Sequence, residues 1–442
     1  MKTKQFNIKK PNTQYKLNIK YDGYTSNTII INSRTVFYVK TNGNDTSTDA
    51  NAGKTWATAF KTIATALGAA AKISPSATNP VEIWVAAGNY NIYKTMAMIK
   101  FVSIYGSFKG TETTKNQRTY LTDNTKLKPT TNIINNNMTS TSSSTSRHFT
   151  TSLAQATAIT PDSVIIDGIC FKNAASSSIY NKYSSPTFSN CVWYNNSSST
   201  NTTITAGAVY NSYSSPNFYN CHFISNEATS YMGGAIKYDT GTGNANDISI
   251  IKDCIFYKNS SNQDGSAIYA NSSNKINITN SIIDTNQTNN NKYGGSIFIN
   301  NQATVEISDS YIIYNSDLDS IYCGTGVRLK GYVNGSNSAT LVANNVTFYK
   351  NTCSTKGYTD IDIGRDYYTP NQSPTTVKNR PFIQISNCKL VKYNMLNDAN
   401  YSFWFNTNDG ASSWSNNSEI STNDEANIKA NQAKNKIDPS YS

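Results

Sequence analysis

Short apolar runs, broken by Asn, Gly and Ser, recur along most of this chain. One recurring unit has the form apolar-x-Asn/Asp-small-x-Phe/Ile-x-x-Asn. It appears as FSNCVWYNN (Phe188 to Asn196), FYNCHFISN (Phe218 to Asn226), IKDCIFYKN (Ile251 to Asn259), ITNSIIDTN (Ile278 to Asn286) and ISDSYIIYN (Ile307 to Asn315). Looser copies are IIDGICFKN (Ile165 to Asn173) and ANNVTFYKN (Ala343 to Asn351). The closing asparagines are spaced by about thirty residues, a period that signals a solenoid or array. A second unit fills the other half of each repeat: AGAVY (Ala206–Tyr210), GGAIK (Gly233–Lys237), GSAIY (Gly265–Tyr269) and GGSIF (Gly294–Phe298), with weaker forms at Ser177–Tyr180 and Asp319–Tyr322. Gly permits tight turns, and Asn tolerates the left-handed conformation and can hydrogen-bond along a ladder. Two or three short strands per period, separated by Gly and Asn turns, predict a parallel β-helix. Leucine-rich repeats and propeller blades fit the pattern poorly.

Other segments depart from this period. Trp56, Phe60, Ile63 and Leu67 lie on one face of an amphipathic helix predicted from about Thr55 to Lys72, ended before Pro75 and Pro80. Val36–Val39, Val81–Ala86 and Phe101–Tyr105 read as strands, and the helix is placed to cap the N-terminal end of the solenoid. Weaker strands are expected at Gln5–Lys9, Tyr15–Tyr21 and Thr28–Ile31. Residues 130–148, rich in Ser and Thr, read as a loop protruding from a coil. The expected divisions are a leader (1–35), a cap with the first coils (36–126), a low-complexity insertion (127–162), the repeats (163–394) and a C-terminal cap (395–442).

Composition changes this picture only in places. Charged residues make up 15% and hydrophobic residues 37%, but 30 Tyr and 16 Phe argue for an ordered β protein. The formal net charge is +11, and the leader concentrates it: Lys2, Lys4, Lys9, Lys10, Lys16, Lys20 and Arg34 stand against Asp22 alone. Such an arm could attach to an acidic surface, or it could be a solvated terminus. Of seven cysteines, Cys191, Cys221, Cys254 and Cys388 share one repeat position, where Ser281 and Ser310 also occur. This favours a ladder of buried thiols over a disulfide framework. His148 and His222 are the only histidines, so a histidine-rich metal site is excluded. The N-terminus has no apolar signal core and no run is long enough for a membrane helix, so neither export by the ordinary secretory route nor membrane insertion is expected.

Three groups could carry chemistry. Asp253 and Asp309 hold the same repeat position two coils apart, about 10 Å at ~4.8 Å per coil. That is near the upper end for an inverting glycosidase pair, about 6.5–9.5 Å. Asn190, Asn220, Asn280, Asn345 and Asn387 fill the same position elsewhere, so a structural ladder accounts for both aspartates more simply. Asp360, Asp362 and Asp366 cluster in DIDIGRD, where a cation could bind but a solvated loop is the simpler reading. The residues after each inward Ile or Val are Tyr180, Tyr210, Lys237, Tyr269, Phe298 and Tyr322. Strand alternation turns them outward as a stripe that could stack on a sugar, or simply pack cross-strand.

The paired GGAI-type and FxxN-type motifs resemble the repeats of polymorphic outer membrane proteins, as in Phe223–Asn226, Phe256–Asn259 and Phe348–Asn351. The block Gly53–Leu67, Glu82–Tyr90 and Ser103–Arg118 resembles the N-terminal part of the same wider group of right-handed parallel β-helix proteins. The resemblance implies that fold and a surface-displayed or secreted adhesive role. The chain lacks the long alternating C-terminal segment of an outer-membrane barrel.

The expected function is non-enzymatic recognition of a host surface glycan or protein by a bacteriophage virion appendage, such as a tail spike, fibre or capsid decoration. The leader would dock on virion assembly proteins, no cofactor is expected, and a homotrimer is compatible with such a role. The alternatives are an exported bacterial surface adhesin and a polysaccharide lyase or glycoside hydrolase.

Overall fold

A computed structural model describes residues 11–12, 14–17, 20–21, 24–25, 29–32, 34–118, 132–136, 147–152, 163–198, 205–241, 247–289, 294–318, 325–331, 339–354, 357–358, 360–365, 381–390 and 413–435. The chain winds as a parallel β-helix. A representative coil runs through Ile248–Lys252, Ile255–Tyr257, Ser260–Ser261 and Ile268–Ala270 before the next begins at Lys275–Thr279. Each strand pairs in parallel with its counterpart one coil away. The stacked strands make a first sheet of 12 strands, a second of 11, a short ladder of six and a third of nine. A twisted strand feeding a crossover to a parallel neighbour takes the right-handed sense, so the fold is a right-handed parallel β-helix.

One apolar core runs along the axis. Ile and Val of the first and third sheets point into it, and the second sheet contributes large rings. Phe171, Trp193, Phe223 and Phe256 stack in one column, with Trp193 and Phe223 nearly parallel at 4.6 Å and 4°. Phe188 and Phe218 form a second column at 5.3 Å that meets the first edge-on. Like residues occupy like positions because each ring packs on the ring one coil above it.

The closing asparagines hold the turn in a way the repeat alone did not indicate. Asn196, Asn226, Asn259, Asn286, Asn315 and Asn351 are fully buried. Each Nδ2 donates to a core-strand carbonyl of the preceding coil, and in all but Asn351 also to the Oδ1 of the next coil's asparagine. For Asn226 these are Asn259 Oδ1 at 2.9 Å and the Trp193 carbonyl at 3.0 Å. The backbone N–H of Asn226 donates to the same Oδ1 at 3.0 Å, so both lone pairs and both amide hydrogens are used. The left-handed residue is the one before: Asn195, Ser225, Lys258, Thr285, Tyr314 and Lys350 have φ between 51° and 55°. Asn173 belongs to that left-handed position, and Ala174 takes the ladder position, donating its N–H to Asn196 Oδ1.

Cys191, Cys221 and Cys254 lie buried at the preceding corner, and the Ser281 and Ser310 hydroxyls continue their row. Burial pushes the Cys221 thiol well above its ordinary value and the Cys170 thiol up to about 12. Cys353 departs from this pattern, because it is disulfide-bonded; five other cysteines are free.

The ends differ from expectation in detail. The N-terminal helix spans Ile63–Lys72, with Thr62 as its N-cap, rather than starting at Thr55. Asp45 fixes that cap by accepting from Thr62 Oγ1 and from the N–H of Lys61, and residues 55–62 form turns instead. Phe60 still enters the main core, whereas Trp56 packs outside it on Tyr38 and Phe108. Within the low-complexity region, Asn132–Asn136 forms a strand of the second sheet, and Phe149–Ser152 joins the third. In the leader, Gln14–Leu17 pairs with Ile29–Asn32, and Lys20–Tyr21 with Tyr24–Thr25, both antiparallel; Gln5–Lys9 lies outside the described residues. A C-terminal helix, Thr422–Asn435, sets Ile428 against Ile313 and Tyr349 on the outside of the second sheet, where Tyr349 donates to Glu425 and Lys389 pairs with Asp424. Among the described residues no helix is long and apolar enough to cross a membrane.

Candidate ligand-binding faces

The third sheet carries the predicted stripe. Tyr180, Tyr210, Lys237, Tyr269 and Phe298 are register partners on successive coils, and Arg328 follows them. They lie outside the axial core, as alternation requires. They are not an open surface, however: Tyr210, Lys237, Tyr269, Phe298 and Arg328 are buried, and Tyr180 is partly so. The glycine turn lies against the outward row, Gly233 over its own strand and Gly295 over the next coil's. A Cβ on Gly233 (φ +77°) would fall 2.8 Å from Lys237 Cβ, and one on Gly295 (φ +85°) would fall 3.0 Å from Arg328 Cβ. Glycine is needed there because the turn's backbone rests on the stripe.

Within this cover the charges are paired with rings. Lys237 Nζ sits 5.3 Å from the Tyr210 ring centre and 5.9 Å from that of Tyr269, and 3.8 Å from Asp239. Tyr210 donates to Asp239 at 2.8 Å. Arg147 stacks over Tyr180 at 4.6 Å, and burial draws its guanidinium down to about 10, still charged at neutral pH. Burial likewise lowers Lys237 and raises the Tyr180 and Tyr210 phenols. The stripe is therefore an internal packing layer. Tyr322 lies outside the described residues.

The first sheet is the open face. Its outward rows include Thr187, Asn217, Lys275, Asn277 and Thr304, which are half-buried, and Lys252, Glu306 and Gln384, which are exposed. The second sheet is the more apolar of the two, with Val192, His222, Ile224 and Ile313 buried on its outer side. An exposed amide ladder borders the open face at the corner between these sheets. Asn220 donates to Asn190 at 2.7 Å, Asn280 to Asp253 at 2.6 Å and Asn345 to Asp309 at 2.7 Å. Asp253 and Asp309 both adopt left-handed φ, as do Asn190, Asn220 and Asn280. Each aspartate thus accepts from the next coil's asparagine, with Asn280 standing between them.

The remaining candidates are dispersed. Asp360 is buried, and it accepts from Asn351 Nδ2 at 2.7 Å, which ends the closing-asparagine ladder on a carboxylate rather than in a solvated loop. Asp362 lies on the strand Ile361–Arg365, in register with Arg328; Asp366 is outside the described residues. Among the described residues no group of three or more His, Cys, Asp or Glu side chains is placed to hold a metal. Of the leader lysines, Lys16 and Lys20 fall on paired strands, and Lys2, Lys4, Lys9 and Lys10 lie outside the described residues.

A duplicated hexapeptide stands apart from the roughly thirty-residue repeat. NKYSSP (Asn181 to Pro186) and NSYSSP (Asn211 to Pro216) are near-identical hexapeptides on consecutive coils. They place Tyr183 and Tyr213 at the corner between the third and first sheets, stacked at 4.7 Å and 18°. Tyr213 is 37% exposed, one of few large apolar side chains so open among the described residues. The duplicated hexapeptide was the available signal.

No family model matches the chain, and no curated protein matches it. Among solved structures it is similar to the A-module of the mannuronan C-5 epimerase AlgE4 of Azotobacter vinelandii, at 10% identity over 74% of this chain and 83% of that one, with a TM-score of 0.36. A likeness that distant carries no argument about activity.

Proposed function

We propose that this protein is a non-enzymatic recognition solenoid that binds an extended anionic glycan along the open face of its first sheet, and that a bacteriophage virion carries it as a tail spike, fibre or capsid decoration. The observation that carries the binding reading is the contrast between faces. The third sheet is covered by its own turns, whereas the first offers rows of hydroxyl, amide and ammonium groups to solvent. Successive rows are about 4.8 Å apart, and an extended pyranose polymer advances by a similar amount per sugar. The leader carries +6 of the net charge of +11, and the +5 left on the rest of the chain, with Lys252 and Lys275 on the open face beside Glu306, favours an acidic polymer. The Asp253 and Asp309 carboxylates are engaged in the amide ladder, which supports binding without cleavage. The basic leader supports attachment to a particle.

Incubation of the full chain with host surface polysaccharide tests the first part. Binding without new reducing ends or unsaturated products is expected, and cleavage would transfer the protein to the lyases or hydrolases. Its presence in purified virions tests the second; its recovery only from the bacterial surface would favour the adhesin.

A further inference from the structure

We propose that the stacked Tyr183 and Tyr213 side chains, with Lys182 beside them, seat a carboxylate-bearing pyranose ring of an anionic polysaccharide; this rests on the recognition reading above and names the sugar class it takes. Three observations carry it. The first is backbone conformation. Tyr183 has φ 52° and Tyr213 φ 51°, a left-handed state that glycine adopts freely and a bulky side chain rarely does.

The second is that the turn itself does not need a ring. Tyr183 donates its N–H to the Ser212 carbonyl one coil on, Tyr213 to Thr240, Gly241 to Ser272 and Ser273 to Asn301. These residues therefore occupy one corner position on successive coils, and Ser273 makes the same left-handed turn at φ 61°. Among the described residues the tyrosines at this corner lie on two adjacent coils, and their hexapeptides hold the turn. Asn181 Nδ2 donates to Asn211 Oδ1 at 2.8 Å, the Ser184 N–H to Ser214 Oγ at 3.1 Å and the Ser215 N–H to Ser185 Oγ at 2.8 Å. Left-handed residues other than glycine recur at the corners of this solenoid, Tyr314 among them, so what sets Tyr183 and Tyr213 apart is the repetition of the whole hexapeptide and its ring on neighbouring coils.

The third is chemical complementarity. The rings stack on each other across two coils at the edge of the open face, so the outer face of each is the one left for a sugar. The C–H face of a pyranose meets the negative face of such a ring favourably. Lys182 holds its Nζ 5.7 Å from the Tyr183 ring centre, within reach of a carboxylate on a sugar resting there. An acidic peptide would satisfy the lysine but offers no saturated ring for the platform.

The test uses the full chain and three polymers: polygalacturonate, neutral dextran and polyglutamate. Tyr183→Gly with Tyr213→Gly suits the left-handed turn, so the double variant is expected to keep its melting temperature within a few degrees. It should lose about tenfold or more in affinity for polygalacturonate, since aromatic contacts are worth about one decade. Tyr213→Phe should bind as the parent does, and Lys182→Gln should weaken polygalacturonate but not dextran. Unchanged polygalacturonate affinity in the folded double variant would overturn the assignment, as would polyglutamate binding as tightly as polygalacturonate. If the double variant binds normally while charge reversal at Lys252 and Lys275 weakens binding, only the platform falls. If the parent protein binds no anionic glycan, the wider reading falls with it.

Discussion

Asn259 and Asn280 are the same residue type at two recurring corner positions, yet their surroundings give them different weight. Asn259 is fully buried, and its Oδ1 is the acceptor for both the Asn226 N–H and Nδ2. Asn259→Ala leaves two buried donors without a partner and should cost about 2–4 kcal/mol. Asn280 is exposed and left-handed, so Asn280→Gly should change stability by no more than about 0.5 kcal/mol. Urea unfolding of the two variants separates the ladders. The recurrence of Asn marked both corners in the sequence. Which one was buried did not show there, because burial depends on the short strand that follows Asn259 and covers it.

His222 gives the same scale a pH dependence. It stands in an apolar row between Val192 and Ile255, and burial lowers its imidazole to about 4. The unfolded chain protonates near pH 6.5 and the folded one does not, so the unfolded state binds more protons between those values. Stability contributed by the neutral ring is complete above pH 6.5 and is lost as pH falls towards 4, by an amount on the order of 3 kcal/mol. His222→Leu should remove this part of the slope in unfolding free energy measured at pH 7 and pH 4.5. An unaltered slope would place the titration elsewhere.

At the scale of elements, alternation along each strand was legible and its accessibility was not. Ile236, Ile268 and Ile297 face the core, and Lys237, Tyr269 and Phe298 face away, as the period of two requires. The backbone of the glycine turns lies over the outward residues, Gly233 over Lys237 four residues on and Gly295 over Arg328 one coil on; the glycines marked tight turns in the sequence, but not the side to which those turns fold. Consequently Tyr269→Ser, which removes a ring stacked 5.6 Å from Phe298, should destabilise the protein by about 3–5 kcal/mol and leave the glycan affinity of the folded fraction unchanged. Lys237→Met keeps the aliphatic stem between the rings and removes an ammonium that burial disfavours. It leaves Asp239 without its ion-pair partner, but that carboxylate is 34% exposed and keeps the hydrogen bond from Tyr210, so the cost should stay at about 1–2 kcal/mol. A loss of affinity in either folded variant would return the stripe to the binding surface. The helix was misplaced for a related reason: Trp56 and Phe60 keep helical spacing with Ile63, but Asp45 caps the chain at Thr62 and sends the two rings to opposite sides of the first sheet.

At the scale of the whole molecule, the solenoid presents three unlike faces from one repeat. The third sheet is sealed by its own turns, the second carries an apolar outer side that the C-terminal helix partly covers, and the first remains open. The repeat announced the solenoid, because stacking like residues is what closes its core. It did not rank the faces, because that ranking comes from the turns and the two ends. The central claim is that the open face binds an anionic polymer. The most direct measurement is the affinity for polygalacturonate of a Lys252→Glu, Lys275→Glu variant, compared with Lys258→Glu. All three lysines are solvent-accessible, but Lys258 lies at the corner beyond the second sheet. A loss of about tenfold or more is expected for the first variant, with a weaker salt dependence, and parental affinity for the second. Equal affinities in the two folded variants would contradict it.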